Sequence, residues 1–531
     1  MKPSSLRRSF SAALFALSSL LLAPSNAQGT HTPSLSADAP RLGDEMRFTV
    51  QGDPLTPGLL GIALGPSPTL PRPHTTFGGL GTTTLVRGFT LDASGTANRS
   101  FLLPTDSSLV GLDVQARAFV LASTGFQITN QVRAEAFPPR IYFRTFGDPV
   151  FNPNSVLVSF DALGAANEFT ASYSSPMTDA VFVPSLDRIA VLLETGELLL
   201  LDPKTGATTR SITITPTPSS LDDLQVAPFP GRVRIRSTQA TTQSGLRLID
   251  LQTGETVGSL PGPVYQATNI PGTTRVVVRD ANRRLTVLDD ATGQIVWTGT
   301  QIPLTNGFPV DWFLDGDRLV VLLAGTALVQ SPAEPAALYP IDLQTGAPLA
   351  PAPIPIPSPA DKRANSVRLG AGPGGTVAVV TFHELGSASS EFLAVSPTTF
   401  APVAPTLAVS AGVEGPFEMV PSPGGTEWLA LFPGATVFQK DGYLLVVDAA
   451  TFTQTGLVPL GIESQTALLT LPSDTLRRVY IGGATSPNAG SQGFLLELPT
   501  DPVVGPPTRH ALGEPVGLFQ NGFGPRISSN E

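Results

Sequence analysis

Short apolar runs alternate with turn residues along most of the chain, and this pattern predicts β-strands. The clearest case is the stretch 285–297 (LTVLDDATGQIVW), in which two apolar runs flank a short polar segment and the second ends at Trp297. The Asp289 carboxylate can accept bonds from backbone N–H groups two residues on. Gly293 can adopt a positive φ without a Cβ penalty. The stretch is therefore predicted to be a β-hairpin.

Two kinds of turn alternate through the rest of the chain, and each precedes or follows an apolar strand. Copies of the first kind, rich in Pro, Gly and Asp, begin at Pro184, Pro230, Pro271, Asp315, Pro373, Pro423 and Pro472. Copies of the second kind, related to Asp-x-x-Thr-Gly, begin at Asp202, Asp250, Asp289, Asp342, Ser396, Asp448 and Leu498. Six steps of the first kind cover 184 to 472, a mean period of about 48 residues, within the range of propeller repeats.

A period of this length with four strands per unit is typical of a β-propeller, in which neighbouring sheets stack and bury each other's faces. We therefore predict a propeller of seven or eight four-stranded blades over residues 141–528. The segments 156–164 and 167–171 resemble the second half of a blade, and 515–522 resembles the first half. We favour eight blades, the eighth being shared by the two ends. Seven blades with unrelated flanks is the alternative.

Residues 33–136 are predicted to form a separate small β-sandwich, so that the whole chain is all-β. Six segments have strand character: 47–51, 59–64, 82–90, 100–103, 114–121 and 126–132. In the fifth segment Val114, Ala116, Ala118 and Val120 alternate with other residues and are predicted to share one face.

The first 27 residues have the pattern of an export signal. Lys2, Arg7 and Arg8 precede an apolar core at 12–23 that is too short to span a bilayer. Small residues follow it, so cleavage is predicted before Gln28 and the mature protein is expected to be secreted or periplasmic. A retained membrane anchor is the alternative, and lipid attachment is excluded because no Cys follows the apolar core.

The amino-acid composition excludes several kinds of functional site and partner. The chain has no Cys, which excludes disulfides, thiolate metal sites and a thiol nucleophile. Its net charge of −10 becomes −13 without the three signal cations, with 29 Lys and Arg against 42 Asp and Glu. Such a surface repels nucleic acid and anionic membranes. We predict no nucleic-acid partner, no membrane span after signal removal, and a monomer.

Candidate chemical residues are few, and the structural interpretation is favoured for each. Asp289 with Asp290, and Asp315 with Asp317, are predicted to be turn residues rather than metal ligands. The adjacent pair Asp222 and Asp223 is predicted to be solvated.

Histidine is equally sparse. The four histidines are His31, His74, His383 and His510, and no two of them have a metal-ligand spacing. His383, followed by Glu384, could form a site at a blade rim, but a surface loop is favoured. Three tryptophans are predicted to pack in the core or between blades rather than to bind carbohydrate: Trp297, Trp312 and Trp428.

The stretch 288–297 is similar to the repeat of PQQ-like (quinoprotein-like) propellers, with Asp289, Gly293 and Trp297 at the matching positions. The resemblance implies that Trp297 docks onto the neighbouring blade. The copies at Asp202, Asp250 and Asp342 lack the Trp and look more like YVTN-type repeats. Residues 33–136 resemble the small β-domain that follows the signal peptide in many secreted bacterial propeller proteins.

The resemblance does not extend to cofactor chemistry. Quinoprotein dehydrogenases place a vicinal disulfide over the cofactor, and this chain has no Cys. Outer-membrane assembly factors are scaffolds of related architecture, but they are lipoproteins. We therefore predict no cofactor, and no catalytic, cofactor-binding or metal-binding residue.

Two functions remain open, because propellers support both. The favoured one is an exported, non-catalytic binding or scaffold protein with a protein or glycan ligand on one propeller face. The alternative is an enzyme, a lyase, lactonase or glycan hydrolase, with its site at the central channel. Carboxylates or His gathered at the channel mouth would favour the enzyme.

Overall fold

The computed structural model describes residues 33–529 except for 38–44, 65–83, 104–112, 123–124, 130–131, 136–139, 146–154, 162–165, 219–221, 239–244, 326–333, 360, 384–388, 412–415, 417–418, 423, 435–440, 462–463, 471–477, 485–490, 500–506 and 517–525. The chain divides into two compact units. The first is drawn from 1–40, 45–102 and 111–136, and the second from 137–531 with 41–44 and 103–110.

The first unit contains two antiparallel sheets. Its strands are β1 (Ser34–Ala37), β2 (Glu45–Gln51), β3 (Pro57–Leu64), β4 (Thr84–Thr90), β5 (Thr96–Leu102), β6 (Asp113–Ala122), β7 (Gly125–Ile128) and β8 (Val132–Glu135). One sheet has the order β1-β2-β5, and the other has the order β4-β3-β6-β7 with β8 also paired to β6.

The strand predictions for this unit were close, with two differences. The alternating set on β6, Val114, Ala116, Ala118 and Val120, is buried as predicted. The segment predicted at 126–132 is two strands, β7 and β8, and β1 was not predicted. The Pro-rich segment 65–73 (GPSPTLPRP), which the sequence predicts to be a loop, lies outside the described residues.

The second unit consists of four-stranded antiparallel sheets, of which eight are present in the described residues. Sheet 1 contains β12 (Met177–Val183), β13 (Arg188–Leu193), β14 (Glu197–Leu201) and β15 (Thr208–Thr213), and sheet 2 contains β16 (Asp223–Val226), β17 (Arg232–Arg236), β18 (Leu246–Asp250) and β19 (Thr256–Leu260). Sheet 3 contains β20 (Val264–Asn269), β21 (Arg275–Asp280), β22 (Arg284–Asp289) and β23 (Gln294–Gln301), and sheet 4 contains β24 (Pro309–Asp315), β25 (Arg318–Leu323), β26 (Ala337–Asp342) and β27 (Ile354–Pro355).

Sheets 5 to 8 complete this unit. Sheet 5 contains β28 (Arg363–Gly372), β29 (Gly375–His383), β30 (Ser389–Val395) and β31 (Leu407–Ser410), and sheet 6 contains β32 (Val420–Pro421), β33 (Glu427–Phe432), β34 (Gly442–Asp448) and β35 (Thr453–Gly461). Sheet 7 contains β36 (Ser464–Thr470), β37 (Arg478–Ala484), β38 (Ser491–Pro499) and β39 (Thr508–Val516), and sheet 8 contains β40 (Arg526–Ser529), β9 (Arg140–Thr145), β10 (Ser155–Asp161) and β11 (Ala166–Tyr173). A 3₁₀ turn, Pro184–Leu186, joins β12 to β13.

The two predicted turn types take fixed places in these sheets. The first type joins the first and second strands, and the second type joins the third and fourth. Both therefore lie at the same end of the strands in these sheets, which we call the turn edge. The Leu251 N–H donates to the Gly231 carbonyl at 2.9 Å, and the Leu343 N–H donates to Asp317 at 2.9 Å, so the two turns of a sheet are bonded together.

The chemistry of the second turn is as predicted. The Asp342 carboxylate accepts the N–H groups of Gln344 and Thr345 at 2.9 and 2.8 Å, and the Gly346 N–H donates to the Asp342 carbonyl at 2.8 Å. In the copies that begin at Ser396 and Asp448 the glycine is replaced by Phe, and Phe452 still takes a positive φ of +54°. Its ring is buried in the core, which offsets the backbone strain.

Apolar side chains fill the spaces between successive sheets. Leu198 of sheet 1 packs in one cluster with Val233 of sheet 2, and equivalent clusters join sheets 2 to 3, 3 to 4, 4 to 5, 5 to 6 and 6 to 7. Such stacking explains why the strands are apolar on both faces. The second unit is therefore an all-β, propeller-like array.

Sheet 8 is built from both ends of the unit. The register of β40 against β9 pairs Arg526 with Arg144 and Ser529 with Ile141. The C-terminal end thus supplies one strand instead of the predicted two, and that strand is β40 instead of residues 515–519. The reason is that residues up to Val516 complete β39, the fourth strand of sheet 7. The segments predicted as the second half of this sheet are its third and fourth strands, β10 and β11.

Candidate functional site

The first strands of several sheets contain a bulge near the start. Register shifts occur just before Asp179, Gln266, Asp311, Ser366 and Ala467, in sheets 1, 3, 4, 5 and 7. A bulge re-aims the side chains beside it. In four of these five sheets the residue after the shift is polar, and the first strands of neighbouring sheets are in contact, as β12 is with β16 and β24 with β28.

Two of these side chains bind the backbone of the next sheet. Asp179 Oδ2 accepts the N–H of Leu224 at 2.8 Å, and Asp311 Oδ2 accepts the N–H of Val367 at 3.0 Å. Asp179 Oδ1 also accepts the Ala180 N–H at 2.6 Å. A buried backbone donor must be satisfied, so these carboxylates hold consecutive first strands together.

Three arginines lie beside Asp223 and Asp311 on sheets 2 to 5. We call Arg236, Arg279 and Arg368, together with these two carboxylates, the arginine cluster. Arg236 donates to both oxygens of Asp223, at 2.8 and 2.7 Å, which is the bidentate geometry that fixes a guanidinium. Arg368 Nη1 lies 2.5 Å from Asp311 Oδ2. The cluster is therefore a pre-arranged set of donors.

Backbone carbonyls and one amide complete the hydrogen bonds of the cluster. Arg236 donates to the carbonyl of Tyr265, and Arg279 donates to the carbonyl of Pro309. The Gln266 amide donates to Asp311 Oδ1 at 3.0 Å. These bonds connect sheet 2 to sheet 3 and sheet 3 to sheet 4. They lie mostly at the sheet edge opposite to the turn edge, because Arg236 and Arg279 end second strands while Tyr265 and Pro309 begin first strands.

The cluster has an excess of positive charge, since three guanidinium groups face two carboxylates. Burial lowers the pKa of Arg279; Asp311 opposes this shift, and the neighbouring charge of Arg236 adds to it. Two like charges are thus held close together. The Nε of Arg279 is buried and has no acceptor within the described part of the chain.

Exposed apolar side chains lie next to the cluster. Tyr265, whose carbonyl binds Arg236, is 49% exposed, and Phe308, directly before Pro309, is 69% exposed. Leu304, in the same connection as Phe308, is 47% exposed. Exposed aromatic residues beside arginine are the composition of protein-binding surfaces.

A second buried ion pair joins sheets 2 and 3 at a different place. Asp290 and Arg234 are 0% and 1% exposed, and Arg234 Nη1 lies 3.2 Å from Asp290 Oδ2. Arg234 also donates to the Asn269 side chain. Burial raises the pKa of Asp290 to about 6, although the charge of Arg234 opposes this shift. Asp290 is in a turn as predicted, but its burial was not expected.

The prediction that Asp222 and Asp223 are solvated is wrong. Asp222 is 6% exposed and lies 4.0 Å from Arg247 Nη2, while Asp223 is bound by Arg236. Arg236 of β17 and Arg247 of β18, the second and third strands of sheet 2, lie beside these carboxylates. The sequence signal was present in Arg-Val-Arg-Ile-Arg at 232–236, because a strand with arginines at alternate positions needs acidic partners.

The remaining candidate residues have structural positions. His383 is the last residue of β29 and is 3% exposed, so the predicted surface loop is wrong; Ser390 Oγ lies 3.3 Å from its Nδ1. Glu384 lies outside the described residues, as do His31 and His74. His510 is in β39.

The predicted turn roles of three aspartates are confirmed. Asp289 Oδ1 accepts the N–H of Ala291 at 2.9 Å, as a turn residue should. Asp315 and Asp317 flank the turn glycine Gly316, and Asp315 pairs with Arg318.

All three tryptophans connect neighbouring sheets, as predicted. The indole N–H of Trp297 donates to the Leu343 carbonyl of sheet 4 at 2.9 Å. Trp428 donates in the same way to Ala371 of sheet 5 at 2.8 Å. Trp312 donates to the Thr268 hydroxyl of sheet 3 at 2.7 Å.

No group of three or more His, Cys, Asp or Glu side chains in the described residues could hold a metal ion. In the same part of the chain, no helix has the length and apolar character needed to cross a membrane.

The family model described as outer membrane protein assembly factor BamB matches residues 166–299, which run from β11 to β23. No curated protein matches the sequence. The chain is similar to the crystal structure of BamB from Moraxella catarrhalis at 13% identity, over 64% of this chain and 90% of that one, with a TM-score of 0.41. Its similarity to apo AztD from Citrobacter koseri is 11% identity over 74% and 98%, with a TM-score of 0.43. Its similarity to Kuenenia stuttgartiensis hydrazine synthase is 13% identity over 52% of this chain and 75% of that one, with a TM-score of 0.37. The predicted resemblance to PQQ-like propeller repeats is therefore confirmed, over residues 166–299.

Proposed function

We propose that the chain is an exported, non-catalytic β-propeller that binds a partner protein through one face. Residues 1–27 are the export signal, 33–136 form a β-sandwich, and 141–528 form the propeller. Export places the mature protein in the periplasm or outside the cell. It acts as a monomer, has no membrane span after signal removal, and does not bind nucleic acid because its net charge is strongly negative.

The propeller has eight blades and is closed by the sheet that contains both ends. Two contacts support this arrangement, because β40 meets both β36 of sheet 7 and β12 of sheet 1. The hydrogen bonds of β40 to β9 then close the ring non-covalently and cover sheet edges that would otherwise pair with other chains. In this arrangement the first strands line the central channel.

One observation carries the non-catalytic assignment. Asp179 and Asp311, the carboxylates at the bulges of the first strands, have both oxygens engaged by donors of their own or a neighbouring sheet. A general acid or base needs an oxygen within reach of the substrate. These carboxylates instead hold neighbouring sheets in place, which supports a binding function over the lyase, lactonase or glycan hydrolase alternative.

The kind of ligand follows from the exposed surface and from the family match. Residues 166–299 match a family named for outer membrane protein assembly, and assembly of a protein requires contact with that protein. The arginine cluster with Tyr265 and Phe308 has the composition of a protein interface, so a protein partner is favoured over a glycan.

Export and binding can be tested in the source bacterium. Mass spectrometry of the mature protein should give Gln28 as its first residue. A photo-crosslinking amino acid at Phe308 should capture a defined protein, whereas the same group at Leu349, 51% exposed, should not. Turnover of a lactone, uronate or glycan substrate that is lost in Asp311→Asn, with the fold retained, would favour the enzyme instead.

A further inference from the structure

We infer that the arginine cluster, with Tyr265 and Phe308, is the docking site for an acidic segment of a partner protein, in which a carboxylate stands next to an apolar side chain. This inference rests on the proposed binding function and names the chemistry of the partner.

The donors of the site are already oriented before a partner arrives. Asp223 fixes Arg236 through two bonds, and the Pro309 carbonyl fixes Arg279. Ordering long side chains costs free energy on binding. That cost is reduced here, because the guanidinium groups are held by their own sheet and by the next one.

Charge selects an anionic partner. The arginine cluster has one positive charge more than it has negative charges, in a chain whose net charge is −10. Arg368 is 38% exposed at its side chain. A carboxylate would neutralise the excess charge and accept guanidinium donors, in the geometry that Asp223 and Asp311 already show.

Two aromatic side chains select an apolar neighbour for that carboxylate. In the bulge of β20, Tyr265 stands between Val264 and Gln266, and Gln266 is the register partner of Arg279. Phe308 precedes the Pro309 carbonyl that binds the same arginine. Arg279 therefore pairs with the residue that follows Tyr265 and binds the residue that follows Phe308, so each of these contacts adjoins an exposed aromatic residue in the sequence. An acidic residue with an apolar neighbour would place its charge on the arginines and its side chain on a ring.

A polypeptide fits this surface better than an enclosed small molecule would. Small-molecule sites are concave and bury most of their ligand, whereas Phe308, Tyr265 and Leu304 are 69%, 49% and 47% exposed. Aromatic anchors beside arginines, open to solvent, are typical of protein hot spots.

The test uses the mature protein and a phage-displayed library of random dodecapeptides selected at low salt. Selected peptides should be enriched in Asp and Glu next to Phe, Leu, Trp or Tyr. Synthetic copies should bind about tenfold or more weakly to Phe308→Ser, Tyr265→Ser and Arg368→Gln. Binding should also weaken with added salt.

Matched controls separate the site from general effects. Leu349→Ser removes an apolar side chain of similar exposure from the turn edge of sheet 4, and Lys204→Gln removes a positive charge from the second-type turn of sheet 1. Both variants should bind the peptides as the wild type does. The exposed positions 265 and 308 allow folded variants, and their circular dichroism should match that of the wild type.

Three results would overturn the inference: no selected peptide, selected peptides without acidic enrichment, or equal binding to Phe308→Ser and Leu349→Ser. In each case the proposed binding function would still be judged separately, by the crosslink from position 308. A crosslinked protein without acidic selectivity would leave the binding function standing and reject the chemistry assigned to the partner.

Discussion

Three glycines share the same φ but differ in how closely a neighbouring sheet approaches them. Replacing each by Ala therefore measures the effect of close contacts between sheets on the free energy of unfolding. Gly272, Gly293 and Gly346 all have a φ of +71°. A Cβ at Gly272 would meet nothing within 4 Å. At Gly293 it would lie 2.0 Å from the Val257 carbonyl oxygen of sheet 2, and at Gly346 it would lie 2.6 Å from the ring of Trp297 in sheet 3. Substitution by Ala therefore adds similar backbone strain at all three positions. It adds a steric contact only at Gly293 and Gly346.

The expected magnitudes follow from these two terms. Alanine in the left-handed region costs about 1–2 kcal/mol, which is the whole effect for Gly272→Ala. Overpacking adds about 1–3 kcal/mol, so Gly346→Ala should lose ~2–5 kcal/mol. Gly293→Ala should lose at least as much, because a backbone carbonyl cannot rotate away. The ring of Trp297 is itself held by its bond to Leu343.

The assay is urea unfolding followed by far-ultraviolet circular dichroism, with the free energy of unfolding compared between variants. The reasoning predicts the order Gly293→Ala, Gly346→Ala, Gly272→Ala from most to least destabilised. If Gly272→Ala were as unstable as Gly293→Ala, strain at positive φ alone would account for the data, and the close approach of the sheets would be refuted.

Three further predictions concern single side chains. Because burial raises the pKa of Asp290 from 3.8 to about 6, its contribution to stability is present below 3.8 and is lost as the pH rises through about 6. Unfolding free energies measured across this range should fall by about 3 kcal/mol relative to Asp290→Asn. Trp297→Phe removes the bond to the Leu343 carbonyl and should cost about 1 kcal/mol, measured by urea unfolding and compared with Trp312→Phe. Hydrogen bonds from Thr345 lower the pKa of Asp342, so Asp342→Ala should lower the unfolding midpoint at neutral pH, and this difference should vanish as the pH falls below the usual carboxyl range.

Local chemistry explains which parts of the fold could be predicted. The Asp-x-x-Thr-Gly turn is determined by residues within five positions of one another, so its shape and its regular spacing can be recognised in the sequence. The copies at Ser396 and Asp448, which have Phe in place of the glycine, keep its positive φ at Phe400 and Phe452. The one-strand contribution of the C-terminal end could not be predicted, because it depends on where β39 ends.

The candidate site could not be predicted, because its partners are distant in the sequence. Arg234 and Asp290 are separated by 56 residues, and Arg368 and Asp311 by 57. A single sequence indicates that the arginines of 232–236 need acidic partners, but it does not indicate which ones. Asp222 and Asp223 were expected to be solvated for this reason: adjacent acidic residues are usually exposed unless an opposite charge is brought to them by the fold.

The polar contacts between sheets have a role that the apolar core cannot fill. Hydrophobic burial is non-directional, so apolar faces alone leave the angle between two stacked sheets weakly determined. Directional bonds occur at four successive interfaces: Asp179 to Leu224, Arg234 to Asp290, Trp297 to Leu343, and Asp311 to Val367. These interfaces join sheets 1 to 5, and sheets 2 to 5 hold the arginine cluster. Three of the four bonds are made by residues outside the cluster. It follows that the position of each guanidinium depends on such contacts, and that their loss should weaken the proposed peptide binding at the cluster before it unfolds the protein.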